Sequence, residues 1–309
     1  MKKEIAPKRP GPHASDSSLL FFTPSYRNDI DRLVLLRRSM RKFYRGSAQH
    51  VVAVPESDLA LFRTALRDDD CTLVSQQSLV DRRFFPTALY SLVDRYAPGQ
   101  AWRFAKHAGK GGWIIQQIAK LNAKSLQERG PILVLDSDLF FFRSFDDADL
   151  LADRGRVLVR ITPTTESGRH RKHIAGARKL LRLPEGSTEH HYMSCPAILQ
   201  AEWLHELGRH LEQLHDKPWQ DVLLAEETMS EYSIYGVFVE ETLKPSDLVI
   251  HERSFNHMLW DTHSYARFFA DPQSVLTEDP SKVCVVVQSA LKVPADEYTQ
   301  ALEKILGHP

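Results

Sequence analysis

The sequence predicts an α/β fold, a Rossmann-type mixed and mostly parallel sheet flanked by helices in a single domain. Two observations predict it. Short apolar strands alternate with helical segments in the order β-α-β-α-β over residues 19–75, the pattern of parallel strands joined by crossover helices. Later, Ile132-Leu133-Val134-Leu135 is apolar at every position, as a strand covered on both faces should be.

Each element has a local reason. The first strand, 19–22, ends at Thr23-Pro24, and Asp29 is a candidate N-cap for a helix carrying Ile30, Leu33, Val34 and Leu36 near helical spacing. A strand at 51–54 stops at Pro55, a helix spans about 57–66, and a third strand occupies 72–75. Residues 76–112 have mixed character. A helix at 113–127 takes its apolar face from Ile114, Ile115, Ile118, Leu121 and Leu126, and Gly130-Pro131 ends it before the apolar strand. Short strands are expected at 140–142 and 157–161, a basic helical stretch at 168–183, and helices at 199–215 and 220–240. A late strand at 283–287 and a closing helix at 295–306 complete the chain. Residues 1–17 read as a polar tail ahead of a nucleotide-binding half, 18–145, and a more helical half, 146–309.

Composition excludes several classes. The 309 residues carry 40 Lys and Arg against 40 Asp and Glu, a balance that argues against a nucleic-acid binder. At 42% hydrophobic the chain is not a disordered polyelectrolyte, and at this length roughly 75% of the unfolded surface should be buried. Cys71, Cys195 and Cys284 are far apart and include no CxxC pair, which fits a reducing compartment better than a disulfide framework or a cysteine zinc site. The amino-terminal residues lack the apolar core of a signal peptide, and no apolar run approaches the ~18–20 residues of a membrane span. These features lead us to expect a soluble cytoplasmic protein. No GxGxxG, Walker or GxSxG motif is present.

The sharpest chemical signal is Asp136-Ser137-Asp138, directly after the apolar strand. The carboxyl ends of strands are where open α/β sheets bind ligands. If the segment stays extended, side chains two apart share a face. Two like charges so close need compensation, and a hard divalent cation supplies it. Such a cation bridges diphosphate oxygens and stabilises a leaving nucleoside diphosphate. The bland alternative is a pair of solvated loop aspartates. Haloacid-dehalogenase-like phosphatases also use Asp-x-Asp after a strand, with the first Asp, here Asp136, as nucleophile. Their motif lies near the chain start and carries Thr or Val where this chain has Phe140.

In four ordered pieces the chain resembles the GT-A glycosyltransferases, and more closely a little-characterised bacterial branch of them. The pieces are residues 22–29 (FTPSYRND), 112–121 (GWIIQQIAKL), 133–138 (LVLDSD) and 230–236 (SEYSIYG). The resemblance implies a metal-dependent enzyme that moves a sugar from a nucleotide-sugar donor to an acceptor hydroxyl on a glycan, lipid-linked or small-molecule acceptor. A role in bacterial surface polysaccharide or glycoconjugate synthesis follows from the resemblance alone, as does the assignment of 146–309 to acceptor binding. The resemblance also implies site residues. Asp138 would ligate Mn²⁺ or Mg²⁺ directly, and Asp136 would contact ribose or reach the metal through water. Thr23, Tyr26 and Asp29 would line the base and ribose pocket, with Tyr26 free to stack on the base or to remain a half-buried loop tyrosine. Gln116, Gln117 and Lys120 lie on the helix before the motif, and Gln116 and Lys120 share a face. Lys120 would offset phosphate charge unless it is a solvated helix lysine. Trp113 is expected in the core.

Glu227 and Glu231 are four apart on an expected helix. If the reaction inverts the anomeric carbon, Glu231 is the candidate base for the acceptor hydroxyl; if it retains configuration, Glu231 orients the acceptor. GT-A enzymes often supply a third metal ligand from a later histidine. His251 is the candidate here, with His257, His263 and the pair His190-His191 behind it. The basic run Arg169-His170-Arg171-Lys172-His173, continuing to Arg178 and Lys179, offers a docking face for an anionic acceptor or the inner membrane surface, or is a solvated helix face. The rival readings are a phosphohydrolase using Asp136 and a non-catalytic sugar-nucleotide-binding protein.

Overall fold

The computed structural model describes residues 18–85, 112–161, 168–226, 228–288, 291–294, 296–298 and 302. The expected tail at 1–17, most of the closing helix and Glu227 fall outside them.

The central sheet has five strands: β1 (Leu20–Pro24), β2 (Gln49–Val54), β3 (Thr72–Ser75), β4 (Pro131–Val134) and β7 (Ala197–Gln200). Their order is β3-β2-β1-β4-β7, parallel except for β7. Helices α1 (Ile30–Phe43) and α2 (Leu59–Ala65) cover one face, where Phe21, Val52 and Leu133 pack with Leu33, Leu36 and Phe62. Helix α3 (Gly112–Leu121) covers the other, where Phe22, Ala53 and Val134 pack with Ile115, Ile118 and Ala119. The apolar side chains of each strand thus alternate between two cores. The chain runs β1 to α1 on one side and α3 to β4 on the other, so β1 and β4 flank the point where strand order reverses. That is where open α/β sheets leave a crevice beyond the strand carboxyl ends.

Beyond β4 the chain turns at Asp136–Leu139, where the Leu139 amide donates to the Asp136 carbonyl at 3.2 Å. It continues as β5 (Leu139–Phe141), antiparallel to β10 (Cys284–Val287), which runs parallel to β9 (Asn256–Leu259). After the short helix α4 (Asp147–Leu150), β6 (Arg156–Val159) pairs in parallel with β8 (Leu248–His251). The basic stretch is helix α5 (Gly168–Leu180).

Three expectations are corrected. The segment 199–215 is strand β7 followed by helix α6 (Ala201–His215). The segment 220–240 is two helices, α7 (Trp219–Leu224) and α8 (Glu231–Val237), and α8 widens into a π turn at Phe238–Leu243. Asp29 occupies the N-cap position of α1 but makes no capping hydrogen bond, because its carboxylate is turned to other partners. Helix α9 (Thr262–Ala270), capped by Asp261, packs with β9 and with α10 (Pro272–Glu278), which Asp271 caps.

Two glycines are fixed by geometry. Gly130 has φ 93° at the turn into β4, where a side chain would be strained. A Cβ on Gly236 would lie 2.0 Å from the Tyr192 ring, so α8 approaches that ring only because the position is glycine.

Candidate active site at the sheet switch point

The carboxyl ends of β1 and β4 carry the loops Ser25–Asp29 and Asp136–Asp138 to one place. Helix α3 delivers Lys120 beside them, fully enclosed. Its ammonium stands 2.8 Å from Asp136 Oδ1 and 2.9 Å from Glu231 Oε1, and it donates to the Tyr232 hydroxyl at 3.1 Å. An ammonium has three N–H donors, and all three are engaged. Burial alone would push this lysine's pKa down; Asp136 and Glu231 outweigh it and hold it well above the ordinary value. Glu231 is equally buried, its second oxygen accepting from Ser230 at 3.2 Å and its backbone N–H donating to Gln117 Oε1 at 3.0 Å.

Asp136 is open on its other side, its side chain 36% exposed. Its amide donates to the Cys195 sulfur at 3.3 Å. Burial pushes the Cys195 thiol well above its usual pKa, and the charges of Asp136 and Asp138 add to the effect. Asp138 also faces Tyr298, pushed up to about 12 by burial first and then held there by a balance of Arg32 against Asp138 and Asp29. The two aspartates therefore do not share a strand face. The tight turn gives each its own surroundings, and the intervening Ser137 hydrogen-bonds Asp29. Asp29 is raised by burial, against the opposing pull of Arg32, which pairs with it at 2.7 Å and donates to the Tyr298 hydroxyl at 3.1 Å.

The structure thus unites Asp29, Gln117, Lys120, Asp136, Asp138 and Glu231. Tyr26 is exposed at the same sheet end, and Gln116 is half-buried on α3. Other expected residues lie elsewhere. The Thr23 hydroxyl points to the α1 face and meets His50 Nε2 at 2.9 Å. His251 closes β8 beside Phe255, at the end of β9 and β10 remote from Asp138: Val287 binds the Asp138 carbonyl, whereas Val283 binds that of Phe255. There His251 lines a cavity of about 540 Å³ with Arg143, Arg253 and Ser281. His257 lies in the middle of β9 against Phe142, and His263 is exposed in the first turn of α9. His190 meets the Tyr192 hydroxyl at 3.1 Å, and His191 stacks on His170 at 4.1 Å. Trp113, expected in the core, is 52% exposed. The far end of the basic run is neutralised internally, Arg178 by Glu241 and Lys179 by Glu226 at 2.7 Å, leaving Arg171 and Lys172 exposed.

Cys195, Arg32, Tyr298 and Asn256, which donates to the Cys195 carbonyl, were not signalled by any local pattern, and Tyr232 lay within the 230–236 piece without an assigned role. Gln76 is another: buried, it donates to the carbonyls of Ser25 at 3.1 Å and Ala53 at 3.3 Å and so fixes the loop after β1.

Among the described residues no group of three or more His, Cys, Asp and Glu is placed to hold a metal ion. Asp138 and the half-exposed Asp136 are hard oxygen donors at the crevice. They fit a cation that draws its remaining ligands from phosphate and water, the usual habit of Mg²⁺ with nucleotides, and not an all-protein cage.

A profile of the family of unknown function DUF6492 matches residues 20–308. The chain belongs to this family. No curated protein matches it in sequence. Among solved structures, this DUF6492 member is similar to mouse xyloside xylosyltransferase 1 in its apo form, at 12% identity over 89% of this chain and 99% of that one, with a TM-score of 0.45. It is also similar to the galactosyltransferase LgtC in complex with donor and acceptor sugar analogues, at 12% identity, 94% and 97% coverage and a TM-score of 0.41. A third likeness is to the bifunctional glycosyltransferase WbbM, at 10% identity, 89% and 46% coverage and a TM-score of 0.47. Likeness at this level decides nothing about the reaction.

Proposed function

We propose that this DUF6492 protein is a GT-A-type glycosyltransferase that moves a sugar from a nucleotide-sugar donor to an acceptor hydroxyl. The observation that carries the reading is the half-exposed Asp136, backed by the buried Lys120–Glu231 pair and followed by Asp138, at the switch point between β1 and β4. Carboxylates and an exposed tyrosine gathered at the carboxyl ends of β1 and β4 suit a nucleoside diphosphate held through a divalent cation.

In this reading Tyr26 stacks on the base and Asp29 contacts the ribose. Asp138 and Asp136 hold Mn²⁺ or Mg²⁺, which, when bound, neutralises charge on the departing nucleoside diphosphate. Lys120 is a positioning residue: with its three donors engaged, it fixes Asp136 instead of reaching for phosphate. Glu231 serves as its counter-ion. With one oxygen against Lys120 and the other accepting from Ser230, it offers no idle carboxylate for deprotonating an acceptor. That arrangement suits a reaction needing no protein base, in which Glu231 supports acceptor orientation. Residues 146–309 would contribute to the acceptor side together with α3, and synthesis of a surface glycoconjugate at the inner membrane face is the setting we favour. No helix of the described residues is long and apolar enough to cross a membrane, so contact with a membrane would be peripheral.

The test is release of nucleoside diphosphate from a panel of UDP-, GDP- and dTDP-sugars. Wild-type protein with Mn²⁺ should turn over one of them; EDTA or Asp138→Ala should abolish it. Undiminished, EDTA-insensitive turnover in that variant refutes the assigned role.

A further inference from the structure

We infer that the face of α3 running outward from Lys120 to Trp113, with His173 of α5 beside it, is the acceptor subsite and takes a pyranose ring against the Trp113 indole. The inference rests on the transferase reading and deepens it by naming the acceptor's chemistry.

Trp113, Gln116, Gln117 and Lys120 are spaced i, i+3, i+4 and i+7 on one helix, so they form one stripe. The stripe leads from the enclosed Lys120 to an indole that is 52% exposed, about 10 Å along the axis at 1.5 Å per residue. It therefore begins at the Asp136 pair and ends in solvent. The opposite face of α3 supplies the core through Ile114, Ile115 and Ile118, so Trp113 is not needed to anchor the helix.

Three groups along the stripe have complementary chemistry. Trp113 offers an apolar ring face, with the His173 ring 6.2 Å away at 35°. Gln117 offers a donor. Its Oε1 accepts from the Glu231 backbone N–H at 3.0 Å, which fixes the amide orientation because a backbone N–H can only donate. Its Nε2 is then a donor group without a partner, on a side chain only 1% exposed. A buried amide left so is costly; its Nε2 is itself enclosed, so a ligand hydroxyl satisfies it once a local side-chain movement uncovers it. His173 offers an acceptor: its Nδ1 meets the Thr228 carbonyl at 2.8 Å, so the proton of a neutral ring sits on Nδ1 and leaves Nε2 able to accept. Farther along, His170 packs on His191, which burial and the two neighbouring histidines push down to about 4, so that wall carries a neutral imidazole at ordinary pH. An aromatic platform with a few convergent polar groups is the composition of a small-ligand site. A pyranose matches it with an apolar C–H face and a rim of hydroxyls that both donate and accept.

The experiment uses full-length protein and two probes. Methyl pyranosides of glucose, galactose, mannose, xylose and N-acetylglucosamine are screened by saturation-transfer NMR and titrated, and UDP, GDP and dTDP with Mn²⁺ are titrated by calorimetry. At least one glycoside should bind wild type, Trp113→Phe and the control Trp260→Ala, which removes another exposed indole. Trp113→Ala should weaken that glycoside about tenfold or more while nucleotide affinity stays within about twofold. Equal glycoside affinity in Trp113→Ala, no glycoside binding by wild type, or a parallel loss of nucleotide affinity overturns the subsite. Glycoside binding through Trp113 by a protein that binds no nucleoside diphosphate overturns the transferase reading, and the acceptor role with it.

Discussion

The two ends of the central sheet each hold a buried charged cluster, and they differ in what they leave open. At the amino end, Arg37 pairs with Asp69 and Asp70 and meets His50 Nδ1 at 2.7 Å. The guanidinium must donate, so His50 is protonated on Nε2 and donates onward to Thr23 at 2.9 Å. Every inward group in that chain has a partner. At the carboxyl end, Lys120 and Glu231 are as deeply buried, yet Asp136 is half-open and Gln117 keeps an orphan donor. Buried ion networks of similar make-up thus differ in role: one closes the fold, the other stiffens the floor of a crevice.

Four perturbations separate the two ends. The largest effect is expected from Asp138→Asn, which should cut donor turnover about a thousandfold with little change in melting temperature. An active variant would remove the carboxyl end from the chemistry. Next, Arg37→Ala and Lys120→Met should each cost about 3–5 kcal/mol of stability in urea unfolding, because each removes the main partner of one buried carboxylate, Asp69 or Glu231. Only Lys120→Met should also lose turnover in the fraction that remains folded. Equal activity loss in both would erase the distinction.

Smaller still is Gly236→Ala, at about 1–3 kcal/mol, since the new methyl meets the Tyr192 ring; an unchanged unfolding midpoint would mean that α8 can shift away.

The gentlest perturbation is pH. Burial, then Arg37, holds His50 well below its ordinary pKa, and Asp69 lies below its own because Arg37 and Arg41 outweigh burial. Both groups bind fewer protons folded than unfolded. Their stabilisation is complete above the unfolded values and declines as pH falls, from about 6.5 for His50 and about 3.9 for Asp69. The melting temperature should therefore fall below about pH 6.5, less steeply in His50→Asn. An unchanged slope in that variant would assign the effect to the other histidines that burial holds below their ordinary pKa, His191, His205, His210, His251 and His257.

Much of the fold was legible because its signals are local. The apolar run at 132–135, the breaker Gly130-Pro131 and the helical face of Ile114, Ile115 and Ile118 each fix an element from neighbouring residues alone. β7 was hidden because its last residues, Leu199 and Gln200, read equally well as the first turn of the helix that follows, and only pairing with β4 makes Ala197–Gln200 a strand. β8 and β9 are short and mostly half-buried, and in sequence their region showed mainly three evenly spaced histidines. Those histidines end up on different elements, which is why spacing misled. In the site, Asp136, Asp138, Lys120, Gln117 and Glu231 carried a recognisable pattern. Cys195 and Tyr298 did not, because what places them is tertiary contact across long stretches of chain.

Nucleotide binding tests the central claim most directly. Thermal unfolding of wild type and Asp138→Ala is followed with UDP, GDP or dTDP, with and without Mn²⁺, since a ligand of the folded state raises the midpoint by mass action. One nucleotide with Mn²⁺ should raise the wild-type midpoint, with the shift lost in EDTA and in the variant. No shift with any nucleotide, or an equal shift in Asp138→Ala, would contradict a cation-assisted nucleotide site at the switch point.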